Sequence, residues 1–147
     1  MAQLPTAVTV VTAPAPGGPL GATANAVTSL SLEPPLMLAS LDLGSRTLGA
    51  VREAGRFGIS VLGARQAEVA RAFATKAPHA EKWADVAWSE RAGTPIVDGC
   101  PLWVSCELRD SHAGGDHVIL TGAVLAAEAP GGDPLVFHDG GYRPLAG

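Results

Sequence analysis

Residues 21–36 read Gly21-Ala-Thr-Ala-Asn-Ala-Val-Thr-Ser-Leu-Ser-Leu-Glu-Pro-Pro-Leu36, and this stretch carries the most information about the fold. Asn25 lies at the centre of a run of small side chains, a pattern typical of a turn between two strands. We therefore predict a strand on either side of Asn25. Small side chains also let a ligand approach the backbone, and the Asn25 amide can both donate and accept a hydrogen bond. An ordinary turn, without a ligand, is the alternative.

The segments on both sides of this stretch predict further strands. Val8–Thr12 is a β-branched run that ends before a segment rich in Pro and Gly. Leu36–Leu41 is a continuous apolar run, which predicts a buried strand. Further strands are predicted at residues 57–61, 102–108, 117–127 and 135–138.

Two helices are predicted between these strands. Ser45 has the position of an N-cap, Leu48 and Val51 recur at a three-residue interval, and Gly55 has the position of a C′ residue, so we expect a short helix over 47–54. The second helix is expected over 64–74, with an apolar face that includes Phe73. Many strands with few inserted helices predict a mainly β protein, an antiparallel barrel with helical cover that forms a single domain over residues 1–147.

Composition limits the classes of partner. The chain has 147 residues and a net charge of -4, and its Arg and Lys residues are scattered, which argues against a nucleic-acid partner. An anionic ligand would therefore need a local site. There are two cysteines, no secretory signal and no long apolar run, so we expect a cytoplasmic protein with no membrane segment. Neither a Rossmann glycine motif nor a P-loop is present.

Three segments together resemble the flavin reductase-like family. They are residues 21–36, Asp42-Leu-Gly-Ser-Arg-Thr-Leu48 and Gly114-Gly-Asp-His117, which occur in the order of the family, and the resemblance covers residues 4–145. It implies an FMN-binding split β-barrel that dimerises around its flavin. It also implies an NAD(P)H-dependent flavin reductase, which transfers a hydride from NADH or NADPH to FMN or FAD and supplies reduced flavin to a partner monooxygenase. Relatives usually carry an amphipathic helix before the first match, and we expect that helix to be missing or very short here.

Ser45, Arg46 and Thr47 form the candidate phosphate site. They lie at a predicted helix start, where free N–H groups and the helix dipole favour an anion, and hydroxyls with a guanidinium would complete the cradle. An N-cap beside an exposed arginine is the alternative. The cofactor-binding residues implied by the resemblance are Thr23, Ala24, Asn25, Ala26, Ser40, Leu41, Ser45, Arg46, Thr47 and Tyr142.

His117 is the candidate catalytic residue. In the family the matching histidine lies near the flavin and the nicotinamide, and because hydride transfer needs no protein acid or base, we expect His117 to orient the reactants. A structural pair with Asp116 is the alternative. Cys100, Cys106, His112 and His117 contain zinc-binding atoms, but their spacings are poor for a zinc site and no metal is predicted.

The sequence leaves two alternatives to a reductase. A non-reductase split-barrel protein that carries or senses flavin or haem would share the fold and the phosphate cradle, and a zinc-stabilised interaction module is a third possibility. The motifs do not distinguish FMN from FAD, or NADH from NADPH.

Overall fold

Strands dominate the structure, which is a computed structural model that describes residues 2–145. Three helices are inserted among twelve strands within these residues. In chain order the elements are β1 (Thr6–Ala7), β2 (Thr9–Ala13), β3 (Leu20–Ala24), β4 (Val27–Leu32), β5 (Pro35–Asp42), α1 (Arg46–Ala54), β6 (Arg56–Val61), α2 (Ala67–Phe73), α3 (His79–Trp83), β7 (Trp88–Arg91), β8 (Thr94–Val97), β9 (Leu102–Gly114), β10 (His117–Glu128), β11 (Leu135–His138) and β12 (Gly141–Pro144).

The main sheet has seven antiparallel strands in the order β3-β2-β6-β9-β10-β5-β4. Its two edge strands, β3 and β4, are joined by only two residues, Asn25 and Ala26. So short a connection requires the sheet to curl until its edges meet, and β3 does approach β5 without a hydrogen-bonded ladder between them. The sheet is therefore a barrel that stays open along one seam, a split β-barrel. Smaller sheets, β1-β11-β12 and β7-β8, flank it.

Two apolar clusters stabilise this arrangement from opposite faces of β2. Val11 and Ala13 pack with Leu48 and Val51 of α1, whereas Val8 and Val10 pack in a second cluster with residues of α2 and α3. The alternation follows from the two-residue period of a strand. The helices α1, α2 and α3 therefore pack on β2 and its neighbours.

Several predicted elements are confirmed. Asn25 connects two strands, and α1 is capped as expected: the Ser45 hydroxyl accepts a hydrogen bond from the Leu48 N–H at 3.4 Å, and Gly55 has a left-handed φ of 72°. The mainly β architecture with inserted helices and a split barrel is confirmed as well.

Other expectations need correction. The strand at 36–41 exists, but Ala39 and Leu41 are its only buried residues, because they share the face toward the core. The other residues of 36–41 are half-buried beside the edge strand β4. The second helix begins at Ala67 instead of residue 64, since the preceding segment is held by a bond from the Gly63 N–H to the Gln66 side chain. The helix α3 and the hairpin β7–β8 were not predicted.

Candidate functional site

Two adjoining cavities open at the seam of the barrel. The smaller has a volume of about 320 Å³ and the larger about 600 Å³. Their common wall is formed by β3, the turn after it, the end of β5 and the cap of α1. The residues are Ala22, Thr23, Asn25, Asp42 and Ser45. A cleft of this combined extent is suited to a small organic molecule or cofactor.

The smaller cavity is lined by the turn between β3 and β4 and by the end of β5. Ser40 donates its backbone N–H to the Ala26 carbonyl at 2.9 Å, which fixes the turn against β5. The buried Oδ1 of Asn25 has no hydrogen-bond partner among residues 2–145. A buried acceptor without a partner is costly, and a ligand that donated a hydrogen bond to this atom would offset that cost.

The start of α1 lines the larger cavity, and its cap Ser45 lines both cavities. Thr47 is 1% exposed and its Oγ1 lacks a partner within the described part of the chain. Arg46 is exposed, and its guanidinium donates to the Ala77 carbonyl at 2.8 Å, which ties the loop after α2 to the helix start. The Ser45 hydroxyl is already used as the helix cap. The helix N-terminus, the free hydroxyl and the guanidinium together favour an anion here.

Positive charge is concentrated in the larger cavity. The chain contains only two lysines, Lys76 and Lys82, and both line this cavity with Arg46, whereas Asp42 is the one carboxylate in its wall. Lys82 is 7% exposed. The two salt bridges within residues 2–145 join other groups, so Lys82 has no carboxylate partner there. A protein with a net charge of -4 thus has a local site for an anion.

His79 responds to the same positive field. Its Nδ1 accepts a hydrogen bond from the Gly21 N–H at 3.3 Å, so α3 is attached to the free edge of β3. Burial, and then the charges of Lys82 and Arg46, lower the pKa of His79 to about 4. Burial also lowers the pKa of Lys82, with Arg46 as the second cause. His79 is therefore neutral near pH 7, and a bound anion would relieve the repulsion among these groups.

His117 opens β10 and lines the smaller cavity. Its ring is half-exposed, and its Nδ1 lies 2.8 Å from the Asp116 carboxylate. When Nδ1–H donates to Asp116, the other ring nitrogen is left as an acceptor. The pair expected as the structural alternative therefore exists, and it holds an imidazole at the cavity.

Tyr142 lies in the wall of the larger cavity on β12, next to Phe137 of β11. The ring centroids are 5.4 Å apart with an interplanar angle of 60°. The guanidinium carbon of Arg71 lies 5.5 Å from the centre of the Tyr142 ring. Aromatic faces and a guanidinium plane together provide a surface for a flat ring.

Every site residue predicted from the sequence lines one or both cavities. The smaller cavity includes Thr23, Ala24, Asn25, Ala26, Ser40, Leu41, Ser45 and His117, and the larger includes Thr23, Asn25, Ser45, Arg46, Thr47 and Tyr142. Leu41 contributes little side chain, because it is 3% exposed and packs in the core.

Sequence reasoning missed the group formed by Lys76, His79 and Lys82. Their three-residue spacing, in a chain with no other lysine, was a signal that could have identified them. It was overlooked because the helix that carries two of them was not predicted.

The residues of the zinc alternative are distributed over separate places. Cys106 lies in the cluster with Phe57, whereas Cys100 lies in another cluster with Trp103, and both are free thiols. Within residues 2–145 no three His, Cys, Asp or Glu side chains come together as metal ligands would. None of the helices in this range has the length and apolarity needed to cross a membrane.

Comparison with known proteins gives concordant results. The sequence model of the "Flavin reductase like domain" family matches residues 1–146. The chain is 44% identical over 139 residues to a probable flavin reductase of Rhizobium meliloti. The matched region covers 93% of this chain but only 44% of that relative. It is 41% identical to the reductase component of a 4-nitrophenol 4-monooxygenase/4-nitrocatechol 2-monooxygenase of Rhodococcus opacus, covering 92% of this chain and 72% of the relative. The solved structure of the NADH:FAD oxidoreductase SgcE6 of Streptomyces globisporus is similar with a TM-score of 0.91 and 34% identity, covering 99% of this chain and 89% of that one.

Proposed function

The chain belongs to the flavin reductase-like family, and from this premise we propose that it is an NAD(P)H-dependent flavin reductase with its site in the two cavities at the barrel seam. The substrates are a flavin, FMN or FAD, and a reduced nicotinamide dinucleotide. The observation that supports the proposal best is that the cleft holds two unpartnered polar atoms, Asn25 Oδ1 and Thr47 Oγ1. They would match the polar ring edge and the phosphate of a flavin.

The residues present fit a flavin. Asn25 Oδ1 and Thr47 Oγ1 are buried without partners, and the wall that holds them also carries Arg46 and the nearly buried Lys82. The amide suits the polar edge of the ring system, and the start of α1 suits the phosphate. A bound flavin supplies the hydride-accepting chemistry, which no side chain of this protein can provide.

The protein's own contribution is positioning. Asn25 would orient the ring at the smaller cavity, and Thr47 and Lys82 would hold the phosphate. His117, which is bonded to Asp116 and also lines the smaller cavity, would orient the second reactant. This arrangement brings two reactants together and needs no general acid or base.

The proposed reductase would form a homodimer and serve a partner monooxygenase. Leu30 and Leu32 of the edge strand β4 are 46% and 89% exposed, which leaves apolar surface for a second copy of the chain. We expect a homodimer formed by single-domain chains, active in the cytoplasm and supplying reduced flavin to a monooxygenase. Light scattering of the purified protein tests the dimer, and a monomeric mass would contradict it.

Anaerobic stopped-flow spectroscopy tests the activity. The protein is mixed with each combination of FMN or FAD and NADH or NADPH, and bleaching of the visible flavin band is followed against enzyme-free controls. Bleaching well above the control rate supports the reductase and identifies its preferred pair. Flavin binding without bleaching by any pair would instead support a flavin carrier or sensor.

A further inference from the structure

The two cavities at the seam differ in charge. The larger is lined by Asp42 and by three cationic side chains, those of Arg46, Lys76 and Lys82. Asp42 also lines the smaller cavity, and among the residues that the structure describes it is the only Asp, Glu, Lys or Arg in that wall. A cationic group is therefore disfavoured in the larger cavity and favoured beside Asp42 in the smaller one.

Asp42 ends β5 next to His117. The two residues are direct partners across the ladder between β5 and β10, and both line the smaller cavity. Asp42 is exposed, and the ion pairs within residues 2–145 join other groups, so its carboxylate has no cationic partner there. This negative charge thus lies beside the residue that we expect to orient the second reactant.

The turn at Asp42 does not need a charge. Asp42 Oδ1 accepts a hydrogen bond from the Gly44 N–H at 2.8 Å, and the Asp42 carbonyl accepts one from the Ser45 N–H at 3.0 Å. Asparagine makes the same kind of turn with its amide oxygen. A carboxylate in the common wall of the cleft opposes the binding of an anion. Its charge is favourable there when a cationic group binds beside it.

Hydride transfer creates such a group. The neutral dihydronicotinamide ring gives up the hydride with both electrons of the C–H bond, which oxidises the ring and reduces the flavin. The ring is left as a positively charged pyridinium. From these observations, and resting on the proposed function, we propose that Asp42 stabilises the positive charge that hydride loss creates on the nicotinamide ring. Asp42 then favours the transition state and the oxidised product over the neutral substrate.

The test compares two ligands that carry the same phosphates and differ in ring charge. They are the oxidised dinucleotide and its tetrahydro analogue, whose ring is neutral and donates no hydride. Each is titrated by calorimetry into the protein loaded with the flavin that it binds more tightly. Asp42→Asn, whose amide oxygen can still accept from Gly44, should weaken binding of the oxidised dinucleotide by about three- to tenfold relative to the analogue, the range for one charge pair near a surface.

Asp110→Asn is the matched control, because Asp110 is an exposed carboxylate on β9 outside both cavities. It should keep the affinity ratio of the unchanged protein. A purely structural role for Asp42 would change the affinities for both ligands by the same factor. That outcome, or an unaltered affinity in Asp42→Asn, would overturn the proposal.

Single-turnover kinetics provide a second measurement. At saturating reduced dinucleotide, flavin bleaching should slow by about three- to tenfold in Asp42→Asn, while KM changes little because the substrate ring is neutral. A higher KM with an unchanged bleaching rate would contradict stabilisation of the developing charge.

The reductase and the role of Asp42 can fail separately. If the unchanged protein bleaches flavin, and Asp42→Asn alters neither the rate nor the affinity ratio, the protein is a reductase in which Asp42 only forms the turn. If Asp42→Asn alters the ratio in a protein that bleaches no flavin, the charge recognition stands without the proposed activity. Absence of binding by both dinucleotides would contradict both.

Discussion

The imidazole of His79 accepts a hydrogen bond from the backbone N–H of Gly21, with 3.3 Å between Nδ1 and the nitrogen. Gly21 belongs to β3, the edge strand at the barrel seam, and His79 is the first residue of α3. The bond requires an unprotonated Nδ1. One contact thus links the protonation of a histidine to the attachment of the lysine-bearing helix at the cleft.

Stability should therefore depend on pH through His79. Its pKa is about 4 in the folded protein and 6.5 ordinarily, so the unfolded chain binds the proton more readily. The stabilisation is fully present above pH 6.5 and is lost as the pH falls toward 4. His79→Asn, whose amide oxygen can still accept from Gly21, should flatten the dependence of Tm on pH in that window.

The matched control is His112→Asn on the exposed part of β9, which should keep the pH dependence of the unchanged protein. Thermal unfolding in a phosphate-free buffer series measures all three proteins. Parallel curves for the unchanged protein and His79→Asn would contradict the role given to His79.

Thr47→Val should separate stability from binding. The Thr47 hydroxyl is buried without a partner, so an isosteric methyl group removes a desolvation cost, and the ligand-free protein should be as stable or more stable. Flavin affinity should fall by about 1 kcal/mol, the contribution of one hydrogen bond. Flavin fluorescence titration and urea unfolding provide the two measurements.

Thr94→Val is the control, because the Thr94 hydroxyl is also buried but has hydrogen bonds to Ser105 and the Arg91 carbonyl. It should lose stability and keep its flavin affinity. Unchanged flavin affinity in Thr47→Val would place the phosphate elsewhere.

Lys82→Met should weaken flavin binding more strongly than Lys76→Met. Lys82 is nearly buried and lacks an acidic partner within residues 2–145, whereas Lys76 is exposed in the same cavity. A charge-assisted hydrogen bond contributes about 1.5–3 kcal/mol, so the Kd for flavin should rise roughly tenfold or more in the Lys82 variant. The Lys76 variant should change by less, since water screens its charge. Equal effects of the two substitutions would show that burial of Lys82 is irrelevant to binding.

The parts of the fold that were predictable are those with local causes. Ser45 and Gly55 cap α1 through contacts within a few residues, so the ends of that helix could be predicted from the sequence. Asn25 was predictable as a turn for the same reason. The site residues around these two positions followed from them and from the resemblance to a family.

The parts that were not predictable depend on distant contacts or unusual backbone. The helix α3 has five residues and no side-chain cap, and it is stabilised by tertiary contacts such as Trp83 against Phe73, with ring centroids 4.7 Å apart. The hairpin β7–β8 turns at Ala92 and Gly93, both with positive φ, a conformation that alanine rarely adopts. Because Lys82 lies on α3, the charged part of the cleft was missed together with the helix.

Two Gly→Ala substitutions should have opposite effects on stability. A Cβ at Gly122 would lie 2.6 Å from Phe57 Cζ and 2.7 Å from Cys106 Cβ, so Gly122→Ala should destabilise the core by about 1–3 kcal/mol or more. Gly49 lies within α1 with nothing close to the added carbon, and Gly49→Ala should stabilise by about 0.5–1 kcal/mol. Urea unfolding of both variants measures the free energies, and destabilisation by Gly49→Ala would contradict the helix as described.

His117→Ala should impair reaction with the nicotinamide and leave flavin affinity nearly intact. The ring is half-exposed and bonds to the exposed Asp116, so its loss removes no core packing, yet it lines the smaller cavity, where we propose that the reactants meet. The expected effect is about three- to tenfold in kcat/KM for the dinucleotide, the size of one hydrogen bond. His112→Ala on the same hairpin lies outside both cavities and should behave like the unchanged protein. Loss of flavin affinity in His117→Ala would place the imidazole against the flavin, and unchanged kinetics would leave His117 as the structural partner of Asp116.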